Sequence, residues 1–254
     1  MTMTDKKQRP KTGVMTRIAK KLACEPSDRN STATTVLPLE HRGHGDTRSA
    51  LLKAAIKVFA QNGFDGTTVK DLADEAGVNV SMVSYYFGGK EGLYKTMLEN
   101  FGLERVSSAE RLLKSPRSRE EFALRLGLFA ENIFEIHAKE PELVRIVHRS
   151  IDIASPLTDH LFENVFSRIF LALQAFLDAS RELGIIRQDI ETDIAAESIF
   201  GSLVHFAHCE PLRIRTGGRS IQDPAYVDQV IKTWMTVFTE GLVTRSSNQQ
   251  ESKS

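Results

Sequence analysis

The chain has 254 residues, of which 41% are hydrophobic and 26% are charged, a composition that argues against a disordered or fibrous protein. Its 33 basic and 33 acidic residues cancel, so a surface that attracts nucleic acid would have to be local. The two cysteines, Cys24 and Cys209, are too few for a disulfide framework, and no apolar run is long enough for a membrane span or a signal peptide, so we expect a cytoplasmic protein.

Residues 1–45 differ from the rest of the chain in charge and composition. They carry nine lysines and arginines against four acidic residues, with three prolines and a patch of serine and threonine between Ser31 and Thr35. This pattern predicts a disordered basic arm, and we expect a second disordered tail at 246–254. Two interpretations of the arm remain open. It contacts DNA, as the arms of other helical DNA binders do, or it is a passive or misassigned extension.

Residues 46–92 are expected to form a small domain of three helices. The first, 46–62, has one wide apolar face and ends at Gly63. Thr68 followed by Asp71 is a start signal for the second helix, and Gly77 suits the left-handed turn that ends it. The third helix follows a capping residue, Asn79.

The third helix has an outer face that is unusual for a surface helix. Val83 and Phe87 are expected to point inward, while the outer face presents hydroxyl groups rather than charges. Such a face fits a DNA groove better than bulk water, which is the layout of a helix-turn-helix whose second helix enters the major groove. The outward residues are Ser81, Ser84 and Tyr85.

From residue 93 to residue 245 the chain is predicted to be helical, with no strand alternation or hairpin signal. A long helix beginning at Lys90 would join the first domain to this body, and Pro141 and Pro156 each suit the first turn of a helix. The last two predicted helices, 193–209 and 225–244, carry small residues that allow close helix approach, and an exposed loop is expected between them at 210–223. The predicted fold class is all-α.

Several separate pieces of the chain, in this order and spacing, resemble the DNA-binding domain of TetR-type (TetR/AcrR) transcriptional regulators. They are Val58 to Phe64, Thr67 to Val69, Asp71 to Ala73, Ala76 to Val78 and Tyr85 to Leu93. The resemblance implies an N-terminal helix-turn-helix domain at 46–92. It also implies a C-terminal helical bundle at 93–245 that binds a ligand and forms a homodimer through the last two helices. Ser84 and Tyr86 depart from the common string of the family, so the operator sequence is not implied.

The resemblance also assigns DNA contacts to individual residues. Those expected on the phosphate backbone are Thr67, Thr68, Tyr85, Tyr86 and Lys90. Those expected near base edges are Val80, Ser81, Met82 and Ser84. Hydroxyl and ammonium groups suit phosphate, and short side chains can touch base edges or thymine methyl groups. The reading helix has no arginine, so guanine contacts would have to come from elsewhere, for example Arg42, Arg48 or Lys70. The alternative for the two tyrosines is packing in the core.

In this family the C-terminal helices enclose a pocket for a small effector, and a phenylalanine-rich lining with a few polar groups suits an apolar ligand. The residues predicted to line it are Phe129, Phe166, Phe170 and His205, with ordinary core packing as the alternative. The spacing of His205 and His208 is compatible with a metal site on a helix, but no carboxylate or cysteine cluster accompanies them apart from Cys209 and Glu210, so no metal is expected. No catalytic or cofactor motif is present, so neither an enzyme nor a cofactor is expected.

These observations predict a ligand-responsive repressor that is released from a palindromic double-stranded operator by a small, largely apolar effector. The alternative is a DNA-binding factor of the same fold without an effector, with an architectural or cell-division role.

Overall fold

The computed structural model describes residues 44–153, 159, 163, 165 and 167–243. Its helices, numbered in chain order, are α1 (His44–Asn62), α2 (Val69–Ala76), α3 (Ser81–Phe87), α4 (Lys90–Leu112), α5 (Arg119–Lys139), α6 (Pro141–Ile153), α7 (Ser167–Glu182), α8 (Thr192–His208), α9 (Glu210–Arg215) and α10 (Pro224–Leu242). These ranges contain no strand, only an isolated antiparallel bridge between Ile186 and Val243, which confirms the all-α fold class. The predicted tail, and the arm up to residue 43, lie outside the described residues.

Several helices of the body begin where a local signal places them. The Ser118 hydroxyl accepts a hydrogen bond from the Glu121 amide and so caps α5, and α6 begins at Pro141 as predicted. Asp223 caps α10 by accepting from the Ala225 amide at 3.1 Å, directly before Pro224. Because each cap satisfies an amide that has no partner within its helix, these starts follow from neighbouring residues alone.

The segment predicted as an exposed loop at 210–223 contains a short helix, so that prediction is wrong for residues 210–215. Pro211 lies in the first turn of α9, where its missing amide proton costs nothing. The Arg213 guanidinium lies 4.4 Å from the centre of the Phe206 ring and donates to the Phe206 carbonyl at 2.8 Å. This contact folds α9 back against the end of α8.

The first three helices and the body share a continuous hydrophobic core. Phe59 of α1 is fully buried, and its ring meets the edge of Tyr94 of α4 at a centroid distance of 4.9 Å. The Tyr94 hydroxyl lies 2.6 Å from the Ser150 hydroxyl of α6, and burial raises the pKa of this tyrosine. The first three helices are therefore packed directly against the body, and the boundary at residues 92 and 93 stays a prediction.

Candidate nucleic-acid interface

The turn between α2 and α3 is fixed by hydrogen bonds at both ends of α2. At its start, the Asp71 amide donates to the Thr68 hydroxyl at 3.1 Å, and the Asp71 carboxylate accepts from the Thr68 amide at 2.8 Å. The carboxylate also accepts from the Thr68 hydroxyl at 2.7 Å, and the bonds from the Thr68 amide and hydroxyl, in that order, lower the pKa of Asp71. At its end, Gly77 has a φ of 66°, and the Val78 amide donates to the Ala73 carbonyl. The predicted capping box and left-handed turn are confirmed.

The α3 helix is anchored on one side and open on the other. The Asn79 side-chain oxygen accepts from the Ser81 amide at 2.9 Å and from the Ser81 hydroxyl at 2.8 Å, which confirms the predicted cap. Val83 is fully buried, while the opposite face is exposed and includes Tyr85 at 67% exposure. The exposed residues from the start of the helix onward are Val80, Ser81, Ser84 and Tyr85. The predicted outward face of α3 is therefore confirmed.

Two residues of α3 that are predicted to contact DNA are only partly exposed. Met82 and Tyr86 are half-buried and pack against the hydrophobic core. The Tyr86 ring also meets the Tyr85 ring edge-on at a centroid distance of 5.0 Å. Core packing, the alternative considered for the tyrosines, therefore applies to part of Tyr86 and not to the strongly exposed Tyr85.

The side chains of Thr67 and Thr68 have opposite environments. Thr67 is only 1% exposed, and its hydroxyl donates to the Gly63 carbonyl at 2.7 Å, so its predicted phosphate contact is wrong. A buried hydroxyl that is satisfied by the end of α1 cannot reach a DNA backbone. Thr68 is exposed, and its hydroxyl is engaged in the capping box with Asp71. Its phosphate contact stays a prediction.

Lys90, at the first position of α4, has a structural role that the sequence did not indicate. Its ammonium donates to the carbonyl oxygens of Phe64 and Thr67, each at 2.9 Å, and lies 4.4 Å from the centre of the Phe64 ring. The lysine thus fastens the loop between α1 and α2 to the start of α4. An ammonium has three donors, so the phosphate contact of Lys90 stays a prediction beside this role.

The basic residues proposed as guanine readers are placed differently around α3. The Arg48 guanidinium of α1 lies 5.2 Å from the centre of the Phe87 ring, beside the end of α3. Lys70 is exposed on α2, and Arg42 lies outside the described residues. Arg48 is therefore a cation that the fold brings next to the reading helix.

The contacts between the head, α1–α3, and the body include residues that the sequence analysis missed. A Cβ built on Gly63, at the end of α1, would lie 2.9 Å from the Arg149 guanidinium of α6. One residue further along, Ser150 meets Tyr94 of α4. These partners are more than fifty residues apart in the chain, and no local pattern could have paired them.

Three of the four residues predicted to line an effector pocket lie among the described residues, and they differ in burial. Phe129 is fully buried and Phe170 half-buried, and their rings lie 6.4 and 4.9 Å from the Phe200 ring, respectively. His205 is exposed on α8, with its Nε2 3.4 Å from the Cys209 sulfur, so its predicted place in a pocket lining is wrong. Phe166 lies outside the described residues. A helical period of 3.6 places His205 on the outer face of α8, turned away from the core.

No group of three or more histidine, cysteine, aspartate or glutamate side chains in the described part of the chain is arranged to hold a metal ion. None of the described helices combines the length and apolar character that a membrane crossing requires.

Comparisons with known proteins agree with the helix-turn-helix geometry. Residues 51–97 match the family described as bacterial regulatory proteins, tetR family. The chain is 31% identical over 163 residues to the HTH-type transcriptional repressor NicS of Pseudomonas putida, covering 64% of this chain and 69% of NicS. It is 33% identical over 113 residues to the probable HTH-type transcriptional regulator YttP of Bacillus subtilis, covering 44% of this chain and 53% of YttP.

A solved structure shares the fold over most of the chain. The transcriptional regulator FadR from Bacillus subtilis, in complex with stearoyl-CoA, superposes with a TM-score of 0.63 at 16% identity, covering 76% of this chain and 98% of FadR. At this identity the similarity shows the fold alone.

Proposed function

The chain belongs to the tetR family of bacterial regulatory proteins, and on this premise we propose that it is a homodimeric repressor released from a palindromic operator by a small effector. The observation that carries the DNA-binding part is the exposed face of α3, with Tyr85 at 67% exposure opposite the fully buried Val83. A helix held rigidly on one side and open on the other is what insertion into a major groove requires. The relative NicS is named a repressor, which supports repression rather than activation.

On operator DNA, the residues of α3 would divide into two groups. The hydroxyl of Tyr85, an exposed residue, suits a phosphate oxygen, and Thr68, Tyr86 and Lys90 would contact the phosphate backbone with it. Val80, Ser81, Met82 and Ser84 would face base edges, where short polar and apolar groups touch thymine methyl groups and hydrogen-bonding edges. The proposed site of action is the bacterial cytoplasm, where the chromosome lies.

The proposed dimer would form through α8 and α10. Both helices expose large apolar side chains, with Ile194 at 61% and Val237 at 66% exposure. A groove of about 450 Å³ runs between them, and added side chains at Gly201 and Gly241 would meet open space. An exposed apolar face of this kind indicates a protein contact. A two-fold axis there would present two α3 helices to successive half-sites.

The effector part of the proposal extends ligand binding from a relative of the same fold. The FadR structure is a complex with stearoyl-CoA, and besides the groove at the proposed dimer contact two cavities of about 480 and 490 Å³ are found among the described residues of this chain. That volume is within the range of small-molecule sites. An effector that prefers one arrangement of the body would weaken operator binding, and operator DNA would weaken effector binding by the same factor.

The DNA-binding proposal is tested by selecting bound sequences from a random DNA library with the purified protein. We expect a palindromic consensus, and Tyr85→Ala should weaken binding to it at least about tenfold, because a hydrogen bond to a charged phosphate is lost. Leu183→Ala, which changes an exposed side chain beyond the end of α7, serves as the control and should bind like the wild type. Selection that yields no consensus, or unchanged affinity of the tyrosine variant, would contradict the proposal.

The dimer is tested by light scattering coupled to size exclusion. Val237→Glu places a charge on the proposed interface and should convert a dimer to a monomer. A wild-type protein that elutes as a monomer at micromolar concentration would show that α8 and α10 do not form the proposed contact.

A further inference from the structure

A cavity of about 480 Å³ lies where the end of α5, the start of α6 and the junction of α8 and α9 meet. We refer to it as the His137 cavity. Its walls are largely apolar and include Val144, Ala207, Leu212 and Ile221. Its polar side chains are His137, Arg145, His208, Glu210 and Arg215, with Cys209 beside them. Of the residues predicted to line an effector pocket, the three that are described, Phe129, Phe170 and His205, do not line this cavity.

His137, one of the residues that line the cavity, has a ring nitrogen without a hydrogen-bond partner in the described part of the chain. Its Nδ1 lies 2.8 Å from the Ile133 carbonyl oxygen, which can only accept, so the ring proton is on Nδ1. The remaining nitrogen, Nε2, is buried and has no hydrogen-bond partner among the described residues. Burial also lowers the pKa of His137, so the ring is neutral near pH 7. A buried acceptor without a partner is costly, and a ligand with an O–H or N–H group would satisfy it.

The mouth of the cavity carries excess positive charge. Arg145 of α6 and Arg215 of α9 are exposed, and neither guanidinium pairs with a carboxylate in the described part of the chain. The one carboxylate in the lining, Glu210, is tied to the following loop, since it accepts from the Ser220 hydroxyl at 2.5 Å and the Ile221 amide at 2.8 Å. Two guanidinium groups against one engaged carboxylate favour an anion, and their planar forks match a carboxylate.

We propose that the His137 cavity binds a small organic carboxylate whose anionic end meets Arg145 and Arg215 and whose opposite end donates a hydrogen bond to His137 Nε2. The apolar walls between the two ends require an apolar or aromatic middle. The regulatory part of this inference rests on the proposed function, because it identifies the ligand with the effector of a DNA-binding regulator.

The α6 helix connects this cavity to the DNA-binding head. Arg145 at the cavity is one helical turn from Arg149, whose guanidinium lies against Gly63 at the end of α1. The next residue, Ser150, hydrogen-bonds Tyr94 of α4 at 2.6 Å. A ligand that binds one position of α6 more tightly than another would therefore shift Arg149 and Ser150, which contact the end of α1 and α4.

The binding test uses isothermal titration calorimetry with three defined probes and the full chain. The first probe, 4-hydroxybenzoate, has both a carboxylate and a hydroxyl donor. The second, benzoate, lacks the donor, and the third, phenol, lacks the anionic group. The wild type should bind 4-hydroxybenzoate at least about tenfold more tightly than either partial probe, because each lacks one of the two polar contacts. No heat with any probe at millimolar concentration would overturn the proposal.

Variants locate the two ends of the ligand. Arg145→Gln with Arg215→Gln should weaken 4-hydroxybenzoate and benzoate at least about tenfold and leave phenol unchanged. His137→Phe should abolish the preference for 4-hydroxybenzoate over benzoate while benzoate affinity is kept, a comparison that needs only a folded protein. Arg117→Gln, an exposed arginine between α4 and α5, is the matched control. Equal losses in that control, or a preference that survives in His137→Phe, would overturn the site.

A second readout separates failure of the ligand site from failure of the regulator. Operator binding by the wild type without probe tests the proposed function alone. Saturating 4-hydroxybenzoate should weaken that binding about fivefold or more, within the usual range of allosteric coupling, and benzoate at the same concentration should do so less. A protein that binds its operator with unchanged affinity in saturating 4-hydroxybenzoate would overturn the effector role and leave the DNA-binding proposal standing.

Discussion

The reading helix α3 and the His137 cavity are built in opposite ways. The head is held by bonds between near neighbours, such as Thr68 with Asp71 and Asn79 with Ser81. The cavity is assembled from α5, α6, α8 and α9. Its lining residue His208 stacks on the His148 ring of α6, sixty residues away in the chain, at a centroid distance of 4.2 Å. The proposed DNA-reading surface therefore depends on local sequence, while the proposed ligand site depends on how the whole bundle packs.

The largest expected effect is at Phe59, where the head packs against the body. Phe59→Ala removes a fully buried ring that packs on Tyr94 and should lower the free energy of unfolding by about 3–5 kcal/mol. Denaturant unfolding followed by circular dichroism and by fluorescence measures it. Leu124→Ala, on an exposed face of α5, should change stability by less than about 0.5 kcal/mol. Separate unfolding transitions for the head and the body would contradict a single continuous core that unfolds as one unit.

Lys90 tests whether a residue of the head serves structure, DNA contact or both. Lys90→Met removes two bonds to the Phe64 and Thr67 carbonyls and should cost about 1.5–3 kcal/mol. If the third donor meets a phosphate, the slope of log affinity against log salt should also fall by about one. Lys95→Met, at an exposed site on the same helix, is the matched control. A loss of stability without a change of slope would limit Lys90 to its structural role.

A matched pair of helix caps compares the head with the body directly. Thr68→Ala and Ser118→Ala each remove a hydroxyl that accepts from an amide three residues later, and each should cost about 1 kcal/mol. Thermal unfolding measures the stability, and titration with the selected operator measures DNA affinity. Only Thr68→Ala should weaken DNA binding, since its helix supports the reading helix. Equal DNA affinities of the two variants would contradict that division.

The smallest expected effect is a dependence of stability on pH that arises from His137 in the body. Burial lowers the folded-state pKa of His137 below its ordinary value of 6.5, an effect that the nearby His208 adds to and that the hydrogen bond to Ile133 and the charge of Glu210 oppose. As the pH falls, His137 therefore takes up a proton in the unfolded chain before it does so in the folded chain. The stability that the neutral, buried His137 contributes is present above pH 6.5 and is lost as the pH falls from there through the folded-state pKa. Melting temperatures between pH 8 and pH 5 should fall less steeply for His137→Phe than for the wild type. His205→Phe, a change at an exposed site, should keep the wild-type dependence.

Sequence reasoning worked where a structure depends on neighbours in the chain. The capping box at Thr68, the left-handed Gly77 and the start of α6 at Pro141 each follow from two to four residues. It failed at Thr67, since the motif has two adjacent threonines and only the fold shows which hydroxyl turns inward to the Gly63 carbonyl. It also missed the part that Lys90 plays in holding the loop between α1 and α2.

In the body, the chemistry of a residue was a weaker guide than its position. The sequence favours a pocket position for His205 because it is polar among aromatic residues, yet its helical position places it outward. His137 went unnoticed as a site, although its place at the end of a helix next to Pro141 is visible in the sequence. The signal that marks it, a buried nitrogen without a partner, exists only after α5, α6 and α8 have come together.

The contact between Gly63 and Arg149 bears on attempts to build chimeric regulators from this protein. Gly63 has a φ of 72°, and any side chain there would also meet the Arg149 guanidinium. A head grafted onto another body would keep its own turn, but it would rest on whatever residue replaces Arg149. Head and body should therefore be exchanged together with α6, and a chimera joined only within α4 would read DNA while its response to a ligand is lost.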